Sequence, residues 1–181
     1  MNEKLKKRLF EKDIYFYGVL LVIMLIKIFP VGVRYYPYLD DYNQYGVFHM
    51  LRGDIFNNII KDSPNLWIRP VALFIDAYLI SGLWRCMWIA LLFYTLIHFA
   101  ALILLEKTFK LNNIPWSRTA ATIFCLAPVL YEATYWVSAS SRIVLGLFFA
   151  ILSSYLFTLY FQKEKIEIKK SRRIFILVLN Y

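Results

Sequence analysis

Four apolar segments bordered by charge constrain this 181-residue chain more than any other feature. They run from about Ile14 to Val33, Trp84 to Leu105, Ala120 to Val137 and Ile143 to Phe161. Each is about 18–22 residues long, enough for a helix to cross a hydrocarbon core about 30 Å thick. Backbone polar groups in lipid must pair within their own segment, so such spans are helical. The expected fold is therefore an all-α polytopic integral membrane protein with four full spans. Hydrophobic residues make up 60% and aromatics 19% of the chain, a balance that argues against a disordered or ordinary soluble protein.

The net charge of +9 would suggest a nucleic-acid partner in a soluble protein. Here the cations cluster between apolar segments and read as topology signals instead, so no nucleic acid is expected. Lys4, Lys6, Lys7, Arg8 and Lys12 precede the first segment. That segment leads into Phe29-Pro30-Val31-Gly32 and lacks the short core and small-residue cleavage site of a signal peptide, so it reads as an uncleaved anchor. Lys27, past its middle, can snorkel to the outer surface. The positive-inside rule then decides the ambiguous stretch Pro70–Gly82. If it spanned, the cluster from Lys163 to Arg173 would lie outside. If it does not, that cluster, the Lys107, Lys110 and Arg118 group and the N-terminus all lie inside. The stretch is also only about 13 residues, roughly 20 Å as helix. The sequence thus predicts a multi-pass plasma-membrane protein with a cytoplasmic N-terminus. An extracytoplasmic loop over 34–83 carries interfacial helices, Pro70–Gly82 among them. In Tyr42–Ile60, Tyr45, Val47, Phe48, Met50 and Leu51 are the expected lipid-facing residues. Ile174–Tyr181 reads as the start of a fifth span, so 1–181 is expected to be one transmembrane domain, the N-terminal part of a longer module.

This topology gathers charge at the outer face. Asp40 and Asp41 follow the first span, Arg69 begins the interfacial helix with Asp76 about two turns along it, and Arg85 opens the second span. Glu132 falls in the outer third of the third span, without an opposite charge at helical spacing, and Arg142 begins the fourth. Carboxylates beside arginines suit a general base that deprotonates an acceptor while cations hold a lipid-linked phosphate. Snorkelling anchors and an aromatic belt would give some of the same pattern. His98 has no partner at metal-ligand spacing and reads as a hydrogen-bonded packing residue. Ser138, Ser140 and Ser141 lack a His–acid pattern and read as a polar turn joining two spans. Cys86 and Cys125 are too separate to suggest a disulfide.

The outer-loop Asp40-Asp41, Arg69-Pro70 opening an apolar helix, and Pro128-Val-Leu-Tyr-Glu132-Ala-Thr-Tyr-Trp136 through Arg142 occur in that order. Together they resemble the polytopic GT-C-fold glycosyltransferases that use lipid-linked sugars, including protein O-mannosyltransferase-like and bacterial members. The resemblance covers about residues 14–160. It implies a base at Asp40, with Asp41 serving in its place or supporting it. It also implies Glu132 in the same cavity, and Arg69 and Arg142 on donor phosphate. Family members differ in whether a divalent metal sits at such acids, so metal-free and metal-assisted sites both remain open. The family usually has eight or more spans. The implied activity is sugar transfer from a polyprenyl-phosphate carrier to an acceptor, unidentified from sequence, at the outer face. The alternative is a non-catalytic transporter, flippase-like or assembly subunit. A transporter would set its acids near the midplane beside broken helices.

Overall fold

The computed structural model describes residues 3–26, 39–50, 70–127 and 136–179. All regular elements among them are helical. Helix α1 is Glu3–Ile26, α2 Leu39–Asp41 and α3 Val47–Met50, with a π turn over Tyr42–Gly46 between the last two. Helix α4, Pro70–Phe74, passes through a π turn (Ile75–Leu79) and a 3-10 segment (Ile80–Cys86) into α5, Met87–Leu111. Helices α6, Arg118–Leu126, and α7, Val137–Leu179, complete the set.

Among the described residues two stretches are long and apolar enough to cross a membrane, Pro70–Leu111 and Val137–Lys163. At 1.5 Å per residue, α5 with 25 residues extends about 37 Å. The apolar part of α1, Asp13–Ile26, is shorter. Large apolar side chains stand exposed along these helices, including Val19 and Val22 of α1, Phe93 and Leu96 of α5 and Phe149, Phe157 and Tyr160 of α7. So much apolar surface on several helices calls for an apolar surrounding or a partner.

Helix α5 is the centre. Its residues Met87, Ala90, Leu91, Tyr94, His98, Ala101 and Leu102 are buried at three- and four-residue spacing, a continuous stripe covered chiefly by α7. The two helices run parallel. Met87, Ala90 and Tyr94 share a core with Val137, Val144 and Leu145, while Asn112 past the end of α5 hydrogen-bonds Thr158 further along α7. A second core joins α1 and α6 to α5 through Leu20, Met24, Leu102, Ala121 and Cys125. Near its end, Arg118 pairs with Asp13 at 3.0 Å and lies 5.3 Å from the Phe16 ring centroid. The Trp116 indole donates to the Tyr17 hydroxyl at 3.3 Å. Asp13 of α1 and Arg118 of α6 thus share the end of the bundle where α5 finishes, and the 39–50 segment packs at the other.

Local chemistry explains the boundaries. Asn113 takes a positive φ of 56° at the end of α5. The Asn113 N–H then bonds Lys110 O at 3.2 Å and the Ile114 N–H bonds Phe109 O at 2.9 Å, a Schellman close with asparagine at the left-handed position. Ser117 caps α6 by accepting from the Ala120 N–H at 3.0 Å. Ala127 turns extended, φ −55° and ψ 131°, because the residue before Pro128 is pushed out of the helical region. The expected span Ala120–Val137 is therefore not one helix: α6 stops at Leu126. Its remainder up to Tyr135 lies outside the described residues.

Other expectations shift as well. Pro70–Gly82 is not a separate interfacial helix but runs into α5, with Cys86 as a bend at φ −136° and ψ 43°. Helix α7 starts at Val137, and no loop follows its apolar part: the backbone stays helical through the basic cluster to Leu179, without a separate fifth helix. Tyr45 and Phe48 do not face lipid but fill the core beneath α4 and α7, whereas Val47 and Met50 are exposed as expected. A side chain on Gly46 would come 3.3 Å from the Trp84 ring, so glycine permits this close packing. Lys27 and Leu51 lie outside the described residues.

Small residues such as Ala121 let the α1, α5 and α6 backbones approach. Ala121→Leu is expected to overpack that junction and cost about 1–3 kcal/mol, read as a lowered thermal unfolding midpoint in detergent.

Candidate functional site

The end of the bundle where α5 and α7 begin holds a group of polar side chains that sequence spacing does not bring together. At its centre is Asp76, in the π turn after α4 and 2% exposed. Its Oδ1 accepts from the Tyr45 hydroxyl at 2.9 Å, and its Oδ2 from Gln44 Nε2 at 2.7 Å and Ser141 Oγ at 3.0 Å. A buried carboxylate is costly unless its lone pairs are satisfied, and three donors from two other elements do this. The extra residue of the π turn rotates Asp76 inward, a register that a regular amphipathic reading does not give.

Tyr45 is fully buried. Its hydroxyl also lies 3.1 Å from the Val137 carbonyl, which ties the 39–50 segment to the start of α7. Burial first, and the Asp76 carboxylate second, raise its phenol well above the ordinary value.

The Asp-Asp pair divides. Asp41 is fully buried, and its Oδ1 accepts the Ser138 N–H at 2.8 Å. It thereby supplies a cap to the first turn of α7 from a segment 97 positions earlier in the chain. Asp40, one residue away on the helical backbone, is exposed and lines a cavity of about 810 Å³. Arg142 and Trp136 line the same cavity, with Val71, Ile143 and Phe149 as apolar wall. Arg142 donates through Nη2 to Gln44 Oε1 at 2.9 Å. Among the described residues no carboxylate lies within ion-pair distance of it.

The expected site residues therefore separate by position. Asp40 and Arg142 share a cavity, Asp41 sits beneath it as a buried cap, and Arg69 and Glu132 lie outside the described residues. The serines are not a solvated turn. Ser138, Ser140 and Ser141 are all buried in the first turn of α7, and Ser141 reaches Asp76 because Asp76 needs its donor. His98 is buried with its ring 5.1 Å from that of Phe124. Among the described residues no three His, Cys, Asp or Glu side chains gather as metal ligands. Gln44 and Tyr45 are the functional neighbours that the charge pattern missed. The one signal for them was their position three and four residues after Asp41.

Comparison of the chain with protein-family models, curated proteins and solved structures finds no match to any of them.

Two outcomes follow from this geometry. Asp41→Ala removes the cap and leaves the buried Ser138 N–H without this acceptor. It is expected to cost about 1–3 kcal/mol, measured as faster proteolysis and a lower unfolding midpoint. The raised Tyr45 phenol gives an alkaline limb. Below about pH 10 folded and unfolded chains both keep that proton; above it only the unfolded chain releases it, so stability falls as pH rises. Tyr45→Phe is expected to flatten this loss, seen by comparing unfolding midpoints at about pH 9 and pH 11.

Proposed function

We propose that this chain belongs to a membrane-embedded glycosyltransferase of the GT-C type, moving a sugar from a polyprenyl-phosphate donor to an acceptor at the outer membrane face. The observation that carries the reading is the shared cavity of Asp40 and Arg142. An exposed carboxylate and an exposed guanidinium face one space with an apolar wall, as an amphiphile with a phosphate at the junction of polar and apolar parts requires. The Asp40 carboxylate takes the proton from the acceptor nucleophile as that atom attacks the anomeric carbon. Arg142 binds the phosphate and stabilises the charge it gains as the glycosidic bond breaks. Trp136 offers a flat wall for the sugar. Asp41 supports Asp40 by fixing the backbone that carries it.

In this reading the chain is multi-pass with a cytoplasmic N-terminus. Helix α1 runs antiparallel to α5, from the Asp13–Arg118 pair toward the 39–50 end, which agrees with that topology. Members of the family differ in metal use, and the reading carries no metal step.

One observation favours a second class, a transporter. Asp76 is a buried acid beside a helix interrupted at the π turn and at Cys86, a combination transporters use at binding sites. In that case Asp76, not Asp40, is the essential acid.

Membranes containing the protein are expected to release polyprenyl phosphate from a polyprenyl-phosphate hexose in the presence of acceptor. Asp40→Asn should lower the rate by at least about 100-fold while membrane insertion stays intact. Undiminished transfer by that variant overturns the assignment.

A further inference from the structure

Gln44 stands between two charges with opposite hydrogen-bonding character. Asp76 presents carboxylate oxygens and Arg142 presents only N–H donors. The amide therefore has one useful orientation, with Nε2 toward Asp76 at 2.7 Å and Oε1 toward Arg142 at 2.9 Å. The Asp76 end is buried and held by hydrogen bonds from Tyr45 and Ser141. The Arg142 end reaches an exposed guanidinium at the cavity. A carboxylate in place of this amide would cancel the guanidinium charge and repel Asp76. A neutral amide holds the arginine in one direction and leaves its charge available to an anion.

We infer that Gln44, anchored by Asp76, is a positioning residue that holds Arg142 toward the cavity to receive the phosphate of an anionic lipid. The ligand half of this statement rests on the donor reading above; the tether half rests on the hydrogen bonds alone. The tether acts on the charged headgroup and leaves the contacts of the apolar chain with the cavity wall unchanged. Losing it frees the guanidinium to point into water.

The test uses the full chain in lipid nanodiscs, with a polyprenyl monophosphate and the neutral polyprenol of equal length as probes. Gln44→Met is expected to weaken binding of the phosphate lipid about tenfold with polyprenol binding unchanged, while the lost donor to Asp76 lowers the unfolding midpoint. Gln44→Glu should weaken phosphate binding at least as much, because it neutralises Arg142. Gln44→Met combined with Arg142→Met should bind no more weakly than Arg142→Met alone, since the tether acts only through the arginine. Additive losses, or an equal loss for polyprenol, overturn the positioning role. If the wild-type chain binds both lipids alike, the donor reading falls separately. The tether is then judged by phenylglyoxal modification of Arg142, followed by peptide mass spectrometry. Faster modification in Gln44→Met upholds it, and an unchanged rate overturns it.

Discussion

The end of this bundle where α5 and α7 begin depends on one buried acceptor. Asp76 draws Gln44 and Tyr45 from the π turn after α2, and Ser141 from α7, onto a single carboxylate. Each donor belongs to an element that also packs apolar surface: Tyr45 beside Phe48, and α7 through Val137, Val144 and Leu145. The carboxylate and the core therefore select the same arrangement. A buried acid of this kind is poor evidence for stability but good evidence for uniqueness, since alternative packings would strand it. The Asp40–Arg142 cavity opens beside this junction and takes its shape from it.

The helices themselves were legible because their signal is long and simple. The apolar run Ile143–Phe161 falls within α7 and Trp84–Leu105 lies in α5 apart from its first three residues, which end the 3-10 segment, and the charged groups expected at one face do share one end of the bundle where they are described. What sequence reading missed lies where local backbone chemistry overrides hydropathy. Pro128 ends α6 early although the apolar run continues past it. The π turns at Tyr42–Gly46 and Ile75–Leu79 rotate later residues by a fraction of a turn, so Tyr45 points inward and Asp76 turns toward it. Regular 3.6-residue periodicity contains no information on such insertions.

The same limit applied to the acidic pair. Two adjacent aspartates look interchangeable in sequence, yet neighbouring helical positions point about 100° apart. One turns into the protein and completes the first turn of α7, and the other faces the cavity. Conversely, Ser138, Ser140 and Ser141 looked like a solvated link because polar residues often are. Their burial follows from two long-range demands, the Ser138 N–H meeting Asp41 and the Ser141 hydroxyl meeting Asp76.

The parallel course of α5 and α7 has an electrostatic consequence. Peptide dipoles in both helices sum in the same direction, so two positive helix ends converge on the face that holds Asp40, Asp41 and Asp76. Antiparallel neighbours would have cancelled that field; parallel ones reinforce it. The aspartates here thus experience a favourable potential from the backbone itself.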